Sequence, residues 1–196
     1  MARPREFDPE AVREAAIRCF WTRGYEATSI KELLEETGLT AASLYNAFGH
    51  KRTLFRIAFE HYIETGINAR LRHFERLPPR QAIEGFVEDT VQRSLGDAQH
   101  KGCMVVNSAL ELAPHDAQVR AAITEVFERI ESFFLRCARA GQVDGTINAA
   151  LSARNLARSL TTVLMGLRVL ARVRPEKALL EGATAPVLAL LAPAGQ

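Results

Sequence analysis

The stretch Ala27–Phe48, ATSIKELLEETGLTAASLYNAF, decides how this chain is read. Thr28-Ser29 is a helix start signal, and Glu32 stands three residues after Ser29. That is the spacing of a capping box, in which hydroxyl and carboxylate each satisfy a backbone amide at the open end of the helix. Ile30, Leu33 and Leu34 then share one face of a short helix. Gly38 ends it, because glycine adopts the left-handed conformation that a Cβ resists. Leu39 turns inward, Thr40 caps a second short helix, and Leu44 and Phe48 form that helix's buried side. Two short helices around a glycine turn make a helix-turn-helix, whose second helix fits a DNA major groove. The outward residues carry the inference. Thr40, Ala41, Ala42, Ser43, Tyr45 and Asn46 are small or hydrogen-bonding, and none is an acid that would repel phosphate.

The flanks extend the pattern. Asp8-Pro9-Glu10 is a helix start, with a capping acid, a proline suited to the first turn and a glutamate complementing the dipole. That helix is expected to run to about Arg23, burying Val12, Ala16, Phe20 and Trp21, with Gly24 as its stop. After the Gly49-His50 turn, Lys51 opens a helix expected to reach about Phe74, apolar at Leu54, Phe55, Ala58, Phe59, Tyr62, Ile63 and Ile67. Pro78-Pro79 breaks the chain. Further amphipathic helices are expected over 80–95, from Cys103 to Pro114, from Asp116 to about Ala140, over 148–173 and over 177–191. Strand alternation is absent, so the expected fold is all-α: a three-helix head and a helical C-terminal body.

Composition bounds the rest. The 196 residues carry 25 Lys and Arg against 23 Asp and Glu, a net charge of +2, so any nucleic-acid affinity must come from local placement of cations. No apolar run approaches the roughly 20 residues of a membrane helix, and MARPREFDPE lacks the apolar middle of a signal peptide. A cytoplasmic location is expected. Three dispersed cysteines, Cys19, Cys103 and Cys137, argue against a disulfide framework. The five histidines show no paired metal-ligand spacing, and no glycine-rich loop follows a strand. No cofactor, metal or catalytic residue is therefore expected. The competing reading is a helical enzyme or adaptor that uses the body without DNA.

Ala16, Phe20, Gly24, Tyr25, Thr28, Ser29, Ile30, Gly38, Leu44, Tyr45, Phe48, Lys51 and Leu54 together resemble the N-terminal domain of TetR-family transcriptional regulators. The resemblance covers about the first quarter of the chain, and beyond it the helical layout is similar. It implies a DNA-binding domain over 1–52, a linking helix over about 51–74, and a regulatory and dimerisation domain over 53–196. Matched residue by residue, Thr28, Tyr45 and Lys51 become phosphate ligands, leaving Thr40, Ala41, Ala42, Ser43 and Asn46 for base edges. Arg3 and Arg5 are candidates for backbone phosphate. The family also implies a palindromic double-stranded operator, usually repressed, and a homodimer through the last two helices. Leu156 to Leu170 and Val187 to Leu191 would supply that surface.

A small-molecule effector is implied in the body. Candidate lining residues are Phe86, Thr90, Met104, Asn107, Ser108, Glu111, Phe127, Phe134, Met165 and Arg168, with Asn107, Glu111 and Arg168 the informative ones because polar groups among apolar helices need partners. The segment GCMVVNSALE is also similar to TetR-type regulators, some of which sense electrophiles or oxidants through that cysteine. Cys103 sits at a helix start beside His100 and Lys101, an environment that favours thiolate. It is the candidate redox sensor.

Overall fold

The computed structural model describes residues 7–193. They form α1 (Pro9–Arg23), α2 (Ile30–Thr37), α3 (Ala41–Phe48), α4 (Lys51–Tyr62), a π-helical segment (Ile63–Asn68), α5 (Ala69–Phe74), α6 (Pro79–Leu95), α7 (Met104–Glu111), α8 (Ala117–Val143), α9 (Ala153–Val173) and α10 (Lys177–Ala189). No strand occurs among the described residues.

Local chemistry explains most helix ends. The Asp8 carboxylate accepts from the Glu10 amide at 2.9 Å and starts α1. Ser29 and Glu32 form the reciprocal box: the Ser29 amide donates to the Glu32 carboxylate at 2.8 Å and the Glu32 amide to the Ser29 hydroxyl at 3.2 Å. Gly38 closes α2 at φ 69°. Asp116 accepts from the amides of Gln118 and Val119 at the start of α8.

Three boundaries differ from expectation. The helix expected from Lys51 to Phe74 continues, but widens into a π turn around Gly66, where Thr65 donates its hydroxyl to the His61 carbonyl at 2.8 Å. Such wide turns recur where a helix borders a functional site. Gly141, expected to begin a loop, lies inside α8, because a Cβ there would meet Ile147 at 2.5 Å; it is a packing glycine. The helix expected from Asn148 starts at Ala153 instead: Asn148 accepts from the Ala150 amide in a turn, and Ser152 caps.

α1 packs on α2 and α4, and α8 and α9 form the longest pairing in the body. The head core of Phe20, Leu33, Leu44, Leu54 and Phe55 is continuous through α4 with the body core. There Phe86, Phe133 and Phe134 meet with ring centroids 5.2 to 5.7 Å apart. Each such ring is worth about 1.5–3 kcal/mol in burial alone. Head and body therefore share one apolar continuum.

Candidate DNA-reading face and effector cavity

Helix α3 stands on Leu44, which is fully buried, and holds Phe48 half-buried. Thr40, Ala41, Ala42, Tyr45 and Asn46 are exposed on the opposite side, with Ser43 half-buried between. Thr40 accepts from the Ser43 amide at 3.2 Å and donates to the Ser43 hydroxyl at 3.0 Å, so its hydroxyl is engaged as the cap of α3. Tyr45 is 45% exposed, so its phenol is free to meet a partner surface. Lys51 opens α4, whose cap residue His50 makes no side-chain bond to the helix amides. Free amides and an ammonium at one helix start form a natural seat for phosphate. The ammonium lies 4.4 Å from the Tyr25 ring centroid and 3.4 Å from the Glu26 carbonyl, which holds it at the head surface.

Thr28 is a correction. Its side chain is fully buried and donates to the carbonyls of Gly24 at 2.6 Å and Cys19 at 3.4 Å. It ties the end of α1 to the start of α2 and presents no hydroxyl to a phosphate. Arg3 and Arg5 lie outside the described residues.

A cavity of about 710 Å³ opens between α1, α4, the π segment, α5, α6, α8, α9 and the loop before α7. Of the expected lining, Phe86, Thr90, Met165 and Arg168 border it, as does Cys103, the candidate redox sensor. The others do not, and each is occupied elsewhere. Met104, Ser108 and Phe134 are buried in packed core, while Phe127 packs half-buried against it. Asn107 donates to the Lys101 carbonyl at 2.8 Å, pinning the loop before α7. Glu111 points to the head, where its carboxylate accepts from the amides of Tyr25 at 3.1 Å and Glu26 at 2.8 Å. Gly24 has φ 86°, and a Cβ there would meet that carboxylate at 2.8 Å. Helical spacing identified the buried faces of α6 to α9 but not which of them meets a void.

Sequence reasoning missed residues that α1, α4, the π segment and α5 bring to the cavity, among them Trp21, Tyr62, Gly66 and Arg70. Trp21, the only tryptophan in the chain, was the available signal, since a large ring with one polar edge rarely lies wholly in core. Its indole donates to the Gly102 carbonyl at 3.3 Å, its ring stacks edge-on against Tyr62 at 5.1 Å, and the Lys101 ammonium lies 4.7 Å from its centroid.

Cys103 is buried at the cavity wall and caps α7 without a side-chain bond to the helix. Tyr62 donates its hydroxyl towards the Cys103 sulfur at 3.8 Å and accepts from the Met104 amide at 3.4 Å. Burial first, then the Cys103 neighbour, hold the Tyr62 phenol well above its ordinary range, so it remains a donor. Burial raises the Cys19 thiol and pushes Cys137 up to about 11, which disfavours their thiolates.

Within the two spans expected to supply the dimer surface, Leu156, Leu160, Leu164, Leu167, Val187 and Leu191 are core. Val169, Leu170 and Leu190 of the same spans, and Val173 just beyond, are exposed in the isolated chain. No helix among the described residues is long and apolar enough to cross a membrane.

A helix-turn-helix head with an acid-free reading face, joined through one core to a helical body, defines a DNA-binding regulator. Comparison with known proteins gives the family. The chain matches the model described as bacterial regulatory proteins, tetR family, over residues 12–57, and that described as tetracyclin repressor-like, C-terminal domain, over residues 79–186. It is 34% identical over 181 residues to the HTH-type transcriptional regulator YezE of Bacillus subtilis (strain 168), covering 88% of this chain and 90% of that one. It is 29% identical over 177 residues to the HTH-type transcriptional repressor ComR of Escherichia coli (strain K12), covering 87% and 82%. Among solved structures it superposes on a cysteine mutant of the TetR-family regulator CifR, complexed with 26bp double-strand operator DNA, with a TM-score of 0.84 at 34% identity over 95% of this chain and 98% of that one. The chain belongs to the TetR family of transcriptional regulators.

Proposed function

We propose that this regulator represses transcription by holding a palindromic operator as a homodimer, and releases it when the body cavity takes up a small molecule. In this reading residues 1–52 are the DNA-binding domain and 53–196 the regulatory and dimerisation domain, working in the cytoplasm. Tyr45 and Lys51 hold phosphates, while Thr40, Ala41, Ala42, Ser43 and Asn46 face base edges. Val169, Leu170, Val173 and Leu190 join two copies through α9 and α10. One head buries too little surface for operator specificity at cellular salt, so two are needed. The observation that carries the reading is the exposed, acid-free face of α3 between the Thr40 cap and the Lys51 helix start. Footprinting on the DNA flanking its own gene tests it. A symmetric protected site that survives moderate salt is the expected result, and protection without sequence preference contradicts it.

Modification of Cys103 is a second route to release. The specific observation is its place on the cavity wall against the Tyr62 hydroxyl, whereas Cys19 and Cys137 have raised pKa values. Alkylation of the native protein near neutral pH should label Cys103 first. Equal labelling of all three removes this route.

A further inference from the structure

The charged groups around the cavity do not balance. Arg70 is paired with Asp89 and also donates to the Thr90 hydroxyl. Arg93 shares Asp89, and Lys101 is paired with Asp97. Glu14 is engaged by His61 across the α1–α4 contact. Arg168 differs from all of these. Its guanidinium is held only by neutral oxygens, the Ser94 hydroxyl at 2.7 Å and the Gly102 carbonyl, and no carboxylate lies within ion-pair distance among the described residues. It is half-buried on the cavity wall, and its charge acts on both Tyr62 and Arg70.

A guanidinium withdrawn from water without a counter-ion is costly, whereas a matching oxyanion forms two parallel charge-assisted bonds with it. The remaining wall supplies the complement of an apolar body: Ile17, Ile67, Phe86, Ile130, Leu164 and Met165. The volume of about 710 Å³ suits a small organic molecule. Arg168 is the one cavity-wall cation that touches no carboxylate among the described residues, and a single guanidinium matches a single carboxylate.

We propose that the effector is a small organic monoanion, an apolar body bearing one carboxylate, and that Arg168 reads its charge. This rests on the reading of the cavity as an effector site. The same contact carries a signal. The Gly102 carbonyl accepts from both Arg168 on α9 and Trp21 on α1. A carboxylate that draws the guanidinium away changes the field at an oxygen shared by α1 and α9, and Trp21 is the only indole to report it.

The experiment titrates the full chain with phenylacetate, cinnamate and octanoate and, in parallel, with their primary amides. Trp21 emission and operator binding are followed in the same samples. At least one acid should shift the emission and release DNA, with its amide at least about tenfold weaker, the ratio expected for a charge-assisted bond. Arg168→Gln should abolish the acid preference. Arg168→Lys, which keeps a cation for Ser94 and Gly102, should retain a reduced one and supplies the readout if the glutamine variant does not fold. Acids and amides of equal affinity, an unchanged ratio in either variant, or no response to any of the three acids overturns the proposal. Operator binding that persists in those samples shows that the anion site has failed while the regulator reading stands.

Discussion

The α3 face and the effector cavity are both polar surfaces laid over the same apolar continuum, yet they are assembled in opposite ways. Every residue of the α3 face comes from one short segment, positioned by a cap three residues away and by the buried Leu44 and half-buried Phe48 on the same helix. The cavity wall draws on α1, the linking helix, α6, α8, α9 and the loop before α7, so each contributor is placed by packing far along the chain. The first can be altered one side chain at a time with the fold intact. The second moves whenever any of its helices moves. That contrast suits the roles: a stiff reader and a wall that a ligand can shift. The polar links between them include Glu111 to the Tyr25 and Glu26 amides, Trp21 to the Gly102 carbonyl, and Arg52 to Asp116 at 2.7 Å.

Substitutions that break or sharpen this contrast rank by size. Phe133→Ala, at the fully buried centre of the body, should cost about 3–5 kcal/mol of a total of roughly 5–15. Because the core is continuous, near-ultraviolet and far-ultraviolet signals should melt together; a head that outlasts the body would break the account of one core. Glu111→Ala removes an acceptor from two head amides and should cost about 1.5–3 kcal/mol in urea unfolding, since bonds to a charged acceptor are the stronger kind. Arg52→Ala, at an ion pair whose arginine is 60% exposed, should cost at most about 1 kcal/mol. An Arg52 effect exceeding that of Glu111 would relocate the main tie between the halves.

The smallest effect is a pH dependence within the head. Bonds from the Ser29 amide and hydroxyl hold the Glu32 carboxyl below its usual range. A depressed carboxylate stabilises fully above its unfolded pKa of about 4.3, and that contribution disappears as pH falls through the lower folded value. Glu32→Gln should therefore melt slightly below the parent at neutral pH and converge with it in acid. A gap that stays constant to the lowest pH would show that the capping box contributes through packing alone.

The two regions also differ in how far they were legible from sequence, for the same physical reason. The Asp8 cap, the Ser29–Glu32 box, the Gly24 and Gly38 stops and the exposed side of α3 are set by neighbours within four residues, and the structure follows them. Thr28 and Ser29 show the limit of that range. Both are hydroxyls at one helix start, and only the close approach of Gly24 and Cys19 turns Thr28 inward. In the body, periodicity located the buried faces of α6 to α9, and Phe86, Thr90, Met165 and Arg168 do reach the cavity. Phe134, Met104 and Ser108 share those buried faces but meet side chains instead, which only tertiary packing decides. The spans 156–170 and 187–191 contain the exposed apolar residues but did not separate them from core: Leu160 and Val169 belong to one helix, and the neighbour that covers the first leaves the second bare.

The central claim is that the outward edge of α3, with the start of α4, grips a duplex. Its most direct test is the affinity of the Tyr45→Ala, Lys51→Glu double variant for the footprinted operator, measured at several salt concentrations beside a circular dichroism check of folding. A folded variant should lose at least about a hundredfold in affinity and show a shallower salt slope. A folded variant that binds the operator as tightly as the parent, with the same slope, would contradict it.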